Sequence, residues 1–214
     1  MKKIVKRKKP IIKFELEKYE DNFVFDEDSN TISYNKIEDS ELLNKDKYRI
    51  VFDTCILKNT RINDNKFYRS EFIDVIFDNC DLSNNAFDNC IFIRCEFKEC
   101  KLLGSTFDNC AMSDVLIEES TSKYVVLSQN KIKSLEVTNS SFEESSFFGN
   151  VLKNVIFDSV NFKKTIFSET KLKDVDLSTC NIERIKVDHK SVEGVTIALH
   201  QAESICYLLG VKIK

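Results

Sequence analysis

Cysteine is the residue type with the most chemical potential in this sequence. The chain of 214 residues contains eight cysteines and two histidines. Cys90, Cys95 and Cys100 follow one another at intervals of five residues. Closely spaced thiolates are typical ligands of a tetrahedral zinc ion. Whether these three side chains could bind a metal depends on the elements that position them.

The same five-residue interval runs through the apolar residues. Large apolar side chains occupy every fifth position from Phe52 to Ile197, and Ser122 is the one interruption. Small or β-branched residues stand two positions before them, and seven of the eight cysteines belong to this second series. A period of five fits neither a helix nor the alternation of a long strand, so the chain must turn at every repeat.

This pattern, with motifs such as CDLSN (Cys80 to Asn84) and CEFKE (Cys95 to Glu99), resembles the pentapeptide-repeat family. The resemblance implies an all-β fold, a right-handed quadrilateral parallel β-helix in which four pentapeptides form one square coil. The large residue and the small residue two positions before it then point inward, and the other three positions face solvent. Stacking at about 4.8 Å predicts roughly seven coils and a rod of about 35 Å.

In such a coil successive repeats lie on different sides, so Cys90, Cys95 and Cys100 cannot converge on one ion. We therefore expect the cysteines to serve in packing and predict no metal site. Cys80 lies above Cys100, and Cys90 above Cys110, at about 4.8 Å, which is close enough to raise the question of a disulfide. We expect free thiols, because the cytoplasm is reducing.

Other candidates for catalysis are sparse. His189 and His200 have no obvious nucleophile or ligand set beside them in the sequence, and an isolated histidine is weak evidence for catalysis. No glycine-rich phosphate loop or paired-carboxylate motif is visible. A rod filled with phenylalanine has no cleft to hold a substrate. We expect a binding protein without catalytic residues or a cofactor.

The chain divides into three segments. Residues 1–31 form an N-terminal extension, whose basic start, residues 1–13, is interpreted as a mobile solvated tail, with contact to nucleic acid as the alternative. Residues 32–197 form the solenoid, and Ile32, Ile37 and Leu42 keep its phase as an irregular first coil. Residues 198–214 form a C-terminal module. No apolar run suggests a secretory signal or a membrane span, which predicts a cytoplasmic protein.

The C-terminal module predicts a cap. After Ile197 the apolar residues follow a helical spacing up to Gly210, which predicts one short capping helix and a final VKIK strand. The segment HQAESICYLLGVKIK resembles the C-terminal module of Firmicutes-type pentapeptide-repeat proteins, which implies a homodimer through this end. The residues of this cap and dimer module are Ala202, Ile205, Cys206, Leu208 and Leu209.

Charge is segregated although the formal net charge is only −3. The face around Phe77 and Phe97 is acidic, and only Lys58 and Lys98 oppose its carboxylates. A neighbouring face around Ile132 is basic. Its lysines are Lys131, Lys133, Lys153, Lys171 and Lys173. The acidic residues are Asp78, Glu96, Glu99, Glu118, Glu119, Glu136, Asp158 and Asp176.

A rigid acidic face can present charge to a basic DNA-binding groove in place of phosphates; an ordinary solvated face is the alternative. The chain resembles the Qnr-type quinolone-resistance branch, which implies a dimeric DNA mimic that acts on DNA gyrase and topoisomerase IV and modulates fluoroquinolone sensitivity. The second hypothesis is a generic cytoplasmic interaction scaffold of unknown partner. Its surface would be Tyr68, Ile73, Ile91 and Ile93. Neither hypothesis involves a membrane or direct nucleic-acid binding.

Overall fold

The computed structural model describes residues 6–12, 15–19, 30–42 and 46–208. These residues form a parallel β-solenoid with four sides, as the five-residue period predicts. We name the sides by the large inward residues of one coil: side A contains Phe52, side B Leu57, side C Ile62 and side D Phe67. The chain returns to the same side every twenty residues, so that Phe52 pairs with Phe72.

Sides A and B share one parallel sheet of eleven strands. Four of its strands have eight residues and pass through the corner between the two sides. The strands are β1 Glu17–Lys18, β2 Thr31–Ser33, β3 Asn35–Glu38, β5 Val51–Lys58, β7 Glu71–Asp78, β9 Ile91–Ile93, β10 Glu96–Lys98, β12 Ala111–Glu118, β14 Lys131–Thr138, β16 Val151–Lys153 and β17 Ile156–Asp158.

Side D carries a second parallel sheet, of eight strands. These are β4 Asp46–Tyr48, β6 Lys66–Tyr68, β8 Ala86–Asp88, β11 Thr106–Asp108, β13 Val126–Ser128, β15 Ser146–Phe148, β18 Ile166–Ser168 and β19 Lys186–Val187. Side C is joined by single bridges that step by twenty residues from Glu41 to Asn181. This ladder has eight members, so the solenoid has eight coils, one more than predicted. The predicted first coil is formed, with Ile32, Ile37 and Leu42 buried.

The corners explain how a chain with four glycines and one proline turns so often. The second residue after most large inward residues has a left-handed φ, as in Asn59 (50°), Asn79 (51°) and Asn89 (54°). Asparagine and aspartate tolerate this conformation better than other non-glycine residues. The side-chain amide of Asn59 donates to the Asp39 carboxylate at 3.0 Å, and that of Asn79 donates to the side-chain carbonyl of Asn59 at 2.8 Å. These hydrogen bonds connect successive coils.

Stacked phenylalanines fill the interior. On side A, Phe72 stacks on Phe52 and on Phe92, with ring centroids 5.4 and 4.8 Å apart. On side D, Phe67 stacks on Phe87 at 5.0 Å. The two columns meet edge to face, for example Phe72 and Phe87 at 5.9 Å. Each such pair contributes about 0.5–1.5 kcal/mol beyond the burial of its apolar area.

The cysteines of the repeats are packing residues, as predicted. The Cys90 thiol donates to the carbonyl of Phe67 at 3.4 Å and the Cys95 thiol to that of Phe72 at 3.2 Å. Burial raises the pKa of Cys95 to about 12, so this thiol stays protonated at neutral pH. The eight cysteines are free, and the part of the chain that the structure describes holds no group of three or more potential metal ligands.

Ser122, the interruption of the apolar series, leaves a defect in the core. Its side chain is buried, and the Oγ atom has no hydrogen-bond partner among the described residues. It lines an apolar cavity of about 20 Å³ together with Phe97, Leu102 and Phe142. A buried hydroxyl without a partner is destabilising, and the missing side-chain volume adds to the cost.

The solenoid ends in short helices. The predicted capping helix is present as α2, Ala202–Leu208, preceded by a 3₁₀ turn at Leu199–Gln201. An additional helix, α1 at His189–Val192, was not predicted. It turns Ser191 into the core and leaves Val192 half-buried, so the expected inward position of Val192 is only partly realised. The cause is local. Ser191 lies 21 residues beyond Thr170, one more than the 20 residues of a regular coil, and its hydroxyl accepts a hydrogen bond from the Thr170 backbone amide at 3.1 Å.

Gln201 closes the last coil. Its side-chain amide donates to the carbonyls of Leu177 at 2.9 Å and Cys180 at 2.6 Å, and its carbonyl accepts the amide of Ala198 at 2.7 Å. The predicted VKIK strand and Leu209 lie outside the described residues. No described helix is long and apolar enough to cross a membrane.

Candidate functional site

The predicted acidic residues come together on side B. Asp78, Glu96, Glu118, Glu136 and Asp158 lie in the side B strands. Two more, Glu99 and Glu119, occupy left-handed corner positions after those strands, and Asp176 continues the column in the bridge to Thr196. We call these eight residues the acidic face.

Lys58 and Lys98, the two lysines that oppose the acidic face, both pair with its carboxylates. Lys58 Nζ lies 3.7 Å from Asp78 Oδ2, and Lys98 Nζ lies 2.7 Å from Glu96 Oε2. The remaining acidic residues include Glu99, Glu118, Glu119 and Asp158, none of which forms an ion pair with a described residue. Their carboxylates are the part of the acidic face that is free to meet an external charge.

The basic N-terminal segment lies on the rod, which the sequence did not predict. The Lys8 amide donates to Asp114 Oδ1 at 3.0 Å and the Ile11 amide to Asp74 Oδ1 at 2.8 Å. Farther along, β1 pairs with β3 in the first coil. The segment therefore runs along the corner between sides A and B in the opposite direction to the solenoid, so that its later residues contact the earlier coils. Residues 6–12 thus lie against the rod rather than apart from it; residues 1–5 and 13 lie outside the described residues.

Arg7 anchors this segment to the acidic face. Its Nη2 lies 2.7 Å from Glu96 Oε1 and its Nε 3.2 Å from Glu136 Oε2. Leu116 stands between these glutamates in the same column, paired with both, so the arginine passes over it. Leu116 is only 6% exposed although it points outward from the coil. The expectation that all outward positions face solvent is therefore wrong here, because the N-terminal segment covers them.

Glu96 is held in its charged form. Burial alone would raise the pKa of this carboxyl, but hydrogen bonds from Lys98 and Arg7 outweigh burial and place the pKa below its ordinary value of 4.5. Hydrogen bonds to a charged carboxylate favour ionisation when they are short and well aligned. At neutral pH the Arg7–Glu96 contact is therefore a pair of full charges with little access to water.

A second ion pair, between Arg94 and Asp74, lies at the same corner between sides A and B. Arg94 donates through Nε and an Nη atom to the two oxygens of Asp74, at 2.6 Å each. The hydrogen bonds to Asp74 raise the pKa of Arg94. This bidentate pair orients the carboxylate that accepts the Ile11 amide.

The other predicted surfaces are less extensive. The lysines of side A are exposed as predicted, and these are Lys131, Lys133, Lys153, Lys171 and Lys173. The residues suggested for a scaffold surface, Tyr68, Ile73, Ile91 and Ile93, are half-buried. At the C-terminal end, Ala202, Ile205, Cys206 and Leu208 are also half-buried. The exposed apolar side chains there are Leu199 (92%) and Tyr207 (81%), which the sequence did not single out.

Known protein families match the repeats. A model described as "Pentapeptide repeat region" matches residues 70–147, and one described as "Pentapeptide repeats (8 copies)" matches residues 145–184. No curated protein matches the chain.

Similar solved structures include full-length QnrB1, described as a plasmid-mediated fluoroquinolone resistance protein. It is 18% identical over 91% of this chain and 95% of that chain, with a TM-score of 0.29. A trypsin-treated QnrB1 variant is 21% identical over 92% and 94%, with a TM-score of 0.36. HetL, a pentapeptide repeat protein involved in heterocyst differentiation regulation from the cyanobacterium Nostoc, is 9% identical over 79% and 90%, with a TM-score of 0.26.

Proposed function

The chain belongs to the pentapeptide-repeat family, whose two models together match residues 70–184, and we propose that it is a binding protein and not an enzyme. Its partner is a type II topoisomerase, DNA gyrase or topoisomerase IV, to whose DNA-binding groove it presents the acidic face as a DNA mimic. In this way it modulates fluoroquinolone sensitivity. The observation that carries the proposal is the fixed row of carboxylates along side B.

The row is rigid because each carboxylate stands on a coil that packs on the next. Phe77 and Phe97, which lie beneath the row, stack with centroids 4.8 Å apart. A surface that keeps its shape before binding avoids part of the ordering cost of association. Complementary charge then steers the encounter with a basic groove and fixes its register.

The charge density of the row sets the expected strength of this mimicry. Eight carboxylates against Lys58, Lys98 and Arg7 leave five net negative charges over seven coils. At about 4.8 Å per coil this is roughly one net charge per 7 Å, whereas duplex DNA has one per about 1.7 Å. Binding should therefore depend less steeply on salt than the binding of DNA to the same groove.

The test is a supercoiling assay with purified DNA gyrase, with and without ciprofloxacin, across a titration of this protein. Wild type should inhibit supercoiling or relieve inhibition by the drug. A Glu118→Gln, Glu119→Gln variant should need about fivefold more protein, because two surface carboxylates without an ion-pair partner among the described residues contribute about 1 kcal/mol. The matched control, Lys131→Gln with Lys133→Gln, removes two charges from side A and should behave as wild type. No effect of wild type at micromolar concentration rejects the topoisomerase proposal and favours a scaffold with another partner, to be sought by pull-down.

We also propose that the protein is a homodimer through its C-terminal end. An open coil exposes unpaired strand edges, which solenoids cover or pair. Here Gln201 and α2 cover the last coil, and the cap exposes Leu199 of the 3₁₀ turn and Tyr207 of α2 to solvent. Two large exposed apolar side chains on a cap of this size are the natural centre of an interface.

A further inference from the structure

The N-terminal segment shows what the corner between sides A and B can bind. We call its contact surface the corner strip, formed by Asp74, Glu96, Asp114, Leu116 and Glu136. Four carboxylates from four coils line it, and one apolar side chain forms its floor. The occupant, residues 6–12, has the sequence KRKKPII.

The strip binds the occupant partly through its backbone. The backbone amide of Lys8 donates to Asp114 and that of Ile11 donates to Asp74. The two donors are three residues apart, and the two acceptors lie two coils apart. Such contacts fix the direction and the extended form of a chain but do not depend on its side chains. Any extended segment that lacks proline at these two positions can make them.

One position of the occupant is specified by chemistry. Arg7 uses Nε and Nη2 to reach carboxylates that flank Leu116, and its side chain is only 8% exposed. A planar guanidinium can donate in two directions at once and tolerates an apolar side chain against its flat face. A lysine has a single charged nitrogen and cannot reproduce this contact, so the strip selects arginine.

The strip is prepared for its occupant by the solenoid itself. Asp74 is held by Arg94, Glu96 by Lys98, and Leu116 by its strand pairs with β10 and β14. None of these contacts involves the N-terminal segment. Asp74, Glu96 and Leu116 therefore keep their positions when the segment leaves, and this part of the site persists for another ligand.

We propose that the corner strip is a recognition site for an extended basic segment carrying an arginine, which residues 6–12 fill in the free protein and which a partner protein's segment of the same chemistry fills on binding. The tethered segment acts as an intramolecular competitor at an effective concentration on the order of millimolar. A partner must therefore displace it before it reaches Glu96 and Glu136. The site stands independently of the proposed function; only the partner's identity as a topoisomerase rests on that function.

The test uses a fluorescein-labelled peptide with the sequence of residues 6–12 and measures its anisotropy against the full chain. Arg7→Ala frees the strip and should bind the peptide at least tenfold more tightly than wild type, since the competitor is weakened. Lys9→Ala, which removes an exposed charge of the same segment, should bind it as wild type does. Adding Glu96→Gln or Glu136→Gln to Arg7→Ala should abolish the gain, and replacing arginine by lysine in the peptide should do the same.

Far-ultraviolet circular dichroism verifies that each variant is folded. Equal binding by wild type and Arg7→Ala would overturn the proposal, as would peptide binding that survives both glutamine substitutions. Because no topoisomerase enters this measurement, its result is separate from that of the supercoiling assay: a bound peptide with no effect on gyrase keeps the site and rejects the topoisomerase.

Discussion

The guanidinium of Arg7 contacts the carboxylate of Glu96 at 2.7 Å across 89 positions of sequence, and both side chains are almost completely buried. This contact places a basic segment on the surface that the repeat pattern marks as acidic. The acidic face of the free protein is therefore partly neutralised by the chain's own residues. The carboxylates that remain available, such as Glu118 and Glu119, are those nearest the corner after side B.

Replacing Arg7 with glutamine should release the N-terminal segment. The substitution removes a charge-assisted contact worth about 2 kcal/mol, so the amides of Lys8 and Ile11 should exchange with solvent about thirtyfold faster. Hydrogen–deuterium exchange with mass spectrometry of the N-terminal peptides measures this. Lys9→Gln is the matched control and should leave the exchange unchanged. Equal protection in Arg7→Gln and wild type would show that the arginine does not hold the segment.

Filling the defect at Ser122 should stabilise the solenoid. Ser122→Val removes an unpartnered hydroxyl and adds apolar volume to the cavity, so the free energy of unfolding should rise by about 1 kcal/mol. Ser145→Ala is the contrasting change, because the Ser145 hydroxyl donates to Ser122 O at 2.8 Å and accepts the Val125 amide at 3.0 Å. It should lower stability by about 1–2 kcal/mol. Urea unfolding followed by circular dichroism distinguishes the two, and a destabilised Ser122→Val would mean that the cavity cannot accept a side chain.

Asp188 should make the C-terminal end sensitive to acid. Hydrogen bonds from Ser191 and from the Glu169 amide lower its pKa to about 2 from an ordinary 3.8. Because the pKa is depressed in the folded state, the stabilisation is present above pH 4 and is lost as pH falls towards 2. Asp188→Ala removes the N-cap of α1 and should cost about 1 kcal/mol at neutral pH but almost nothing at pH 2.

Thermal unfolding of Asp188→Ala at several pH values checks this expectation. Asp158→Ala, an exposed carboxylate on side B, serves as the control and should change little at any pH. A difference between wild type and Asp188→Ala that is the same at pH 2 and pH 7 would contradict the assignment.

Tyr207 should decide the oligomeric state if the dimer forms through the C-terminal end. Tyr207→Asp places a charge where the apolar contact is proposed and should convert the dimer into a monomer in multi-angle light scattering. Tyr124→Asp, an exposed tyrosine on the side of the rod, should remain a dimer. A wild-type mass of one chain would defeat the dimer proposal without any mutant.

The repeat made much of the fold predictable. Phe52 and Phe72 have to meet because the chain turns by one side every five residues, and no other contact enters that argument. The same holds for Cys90 and Cys95, whose places in the small-residue series predict that both side chains are buried in the core. The acidic face follows as well, since Glu118 and Glu136 point to the same side once the coil is known.

Features without a period were not predictable. Helix α1 depends on the cap formed by Asp188 and on the single-residue shift that brings Ser191 to Thr170. The burial of Leu116 depends on a segment more than a hundred residues away in sequence. Neither has a local signal stronger than the repeat pattern around it.

The sequence by itself determined the coil, its inward residues and the sides on which charge accumulates, because each of these repeats a short-range rule at every turn. Only the tertiary structure decided where residues 6–12 lie and which carboxylates remain open. The physical reason is that Arg7 finds Glu96 and Glu136 through charge and shape after the coils have stacked. This complementarity of charge and shape exists only on the folded surface, and no repeating pattern in the sequence indicates it.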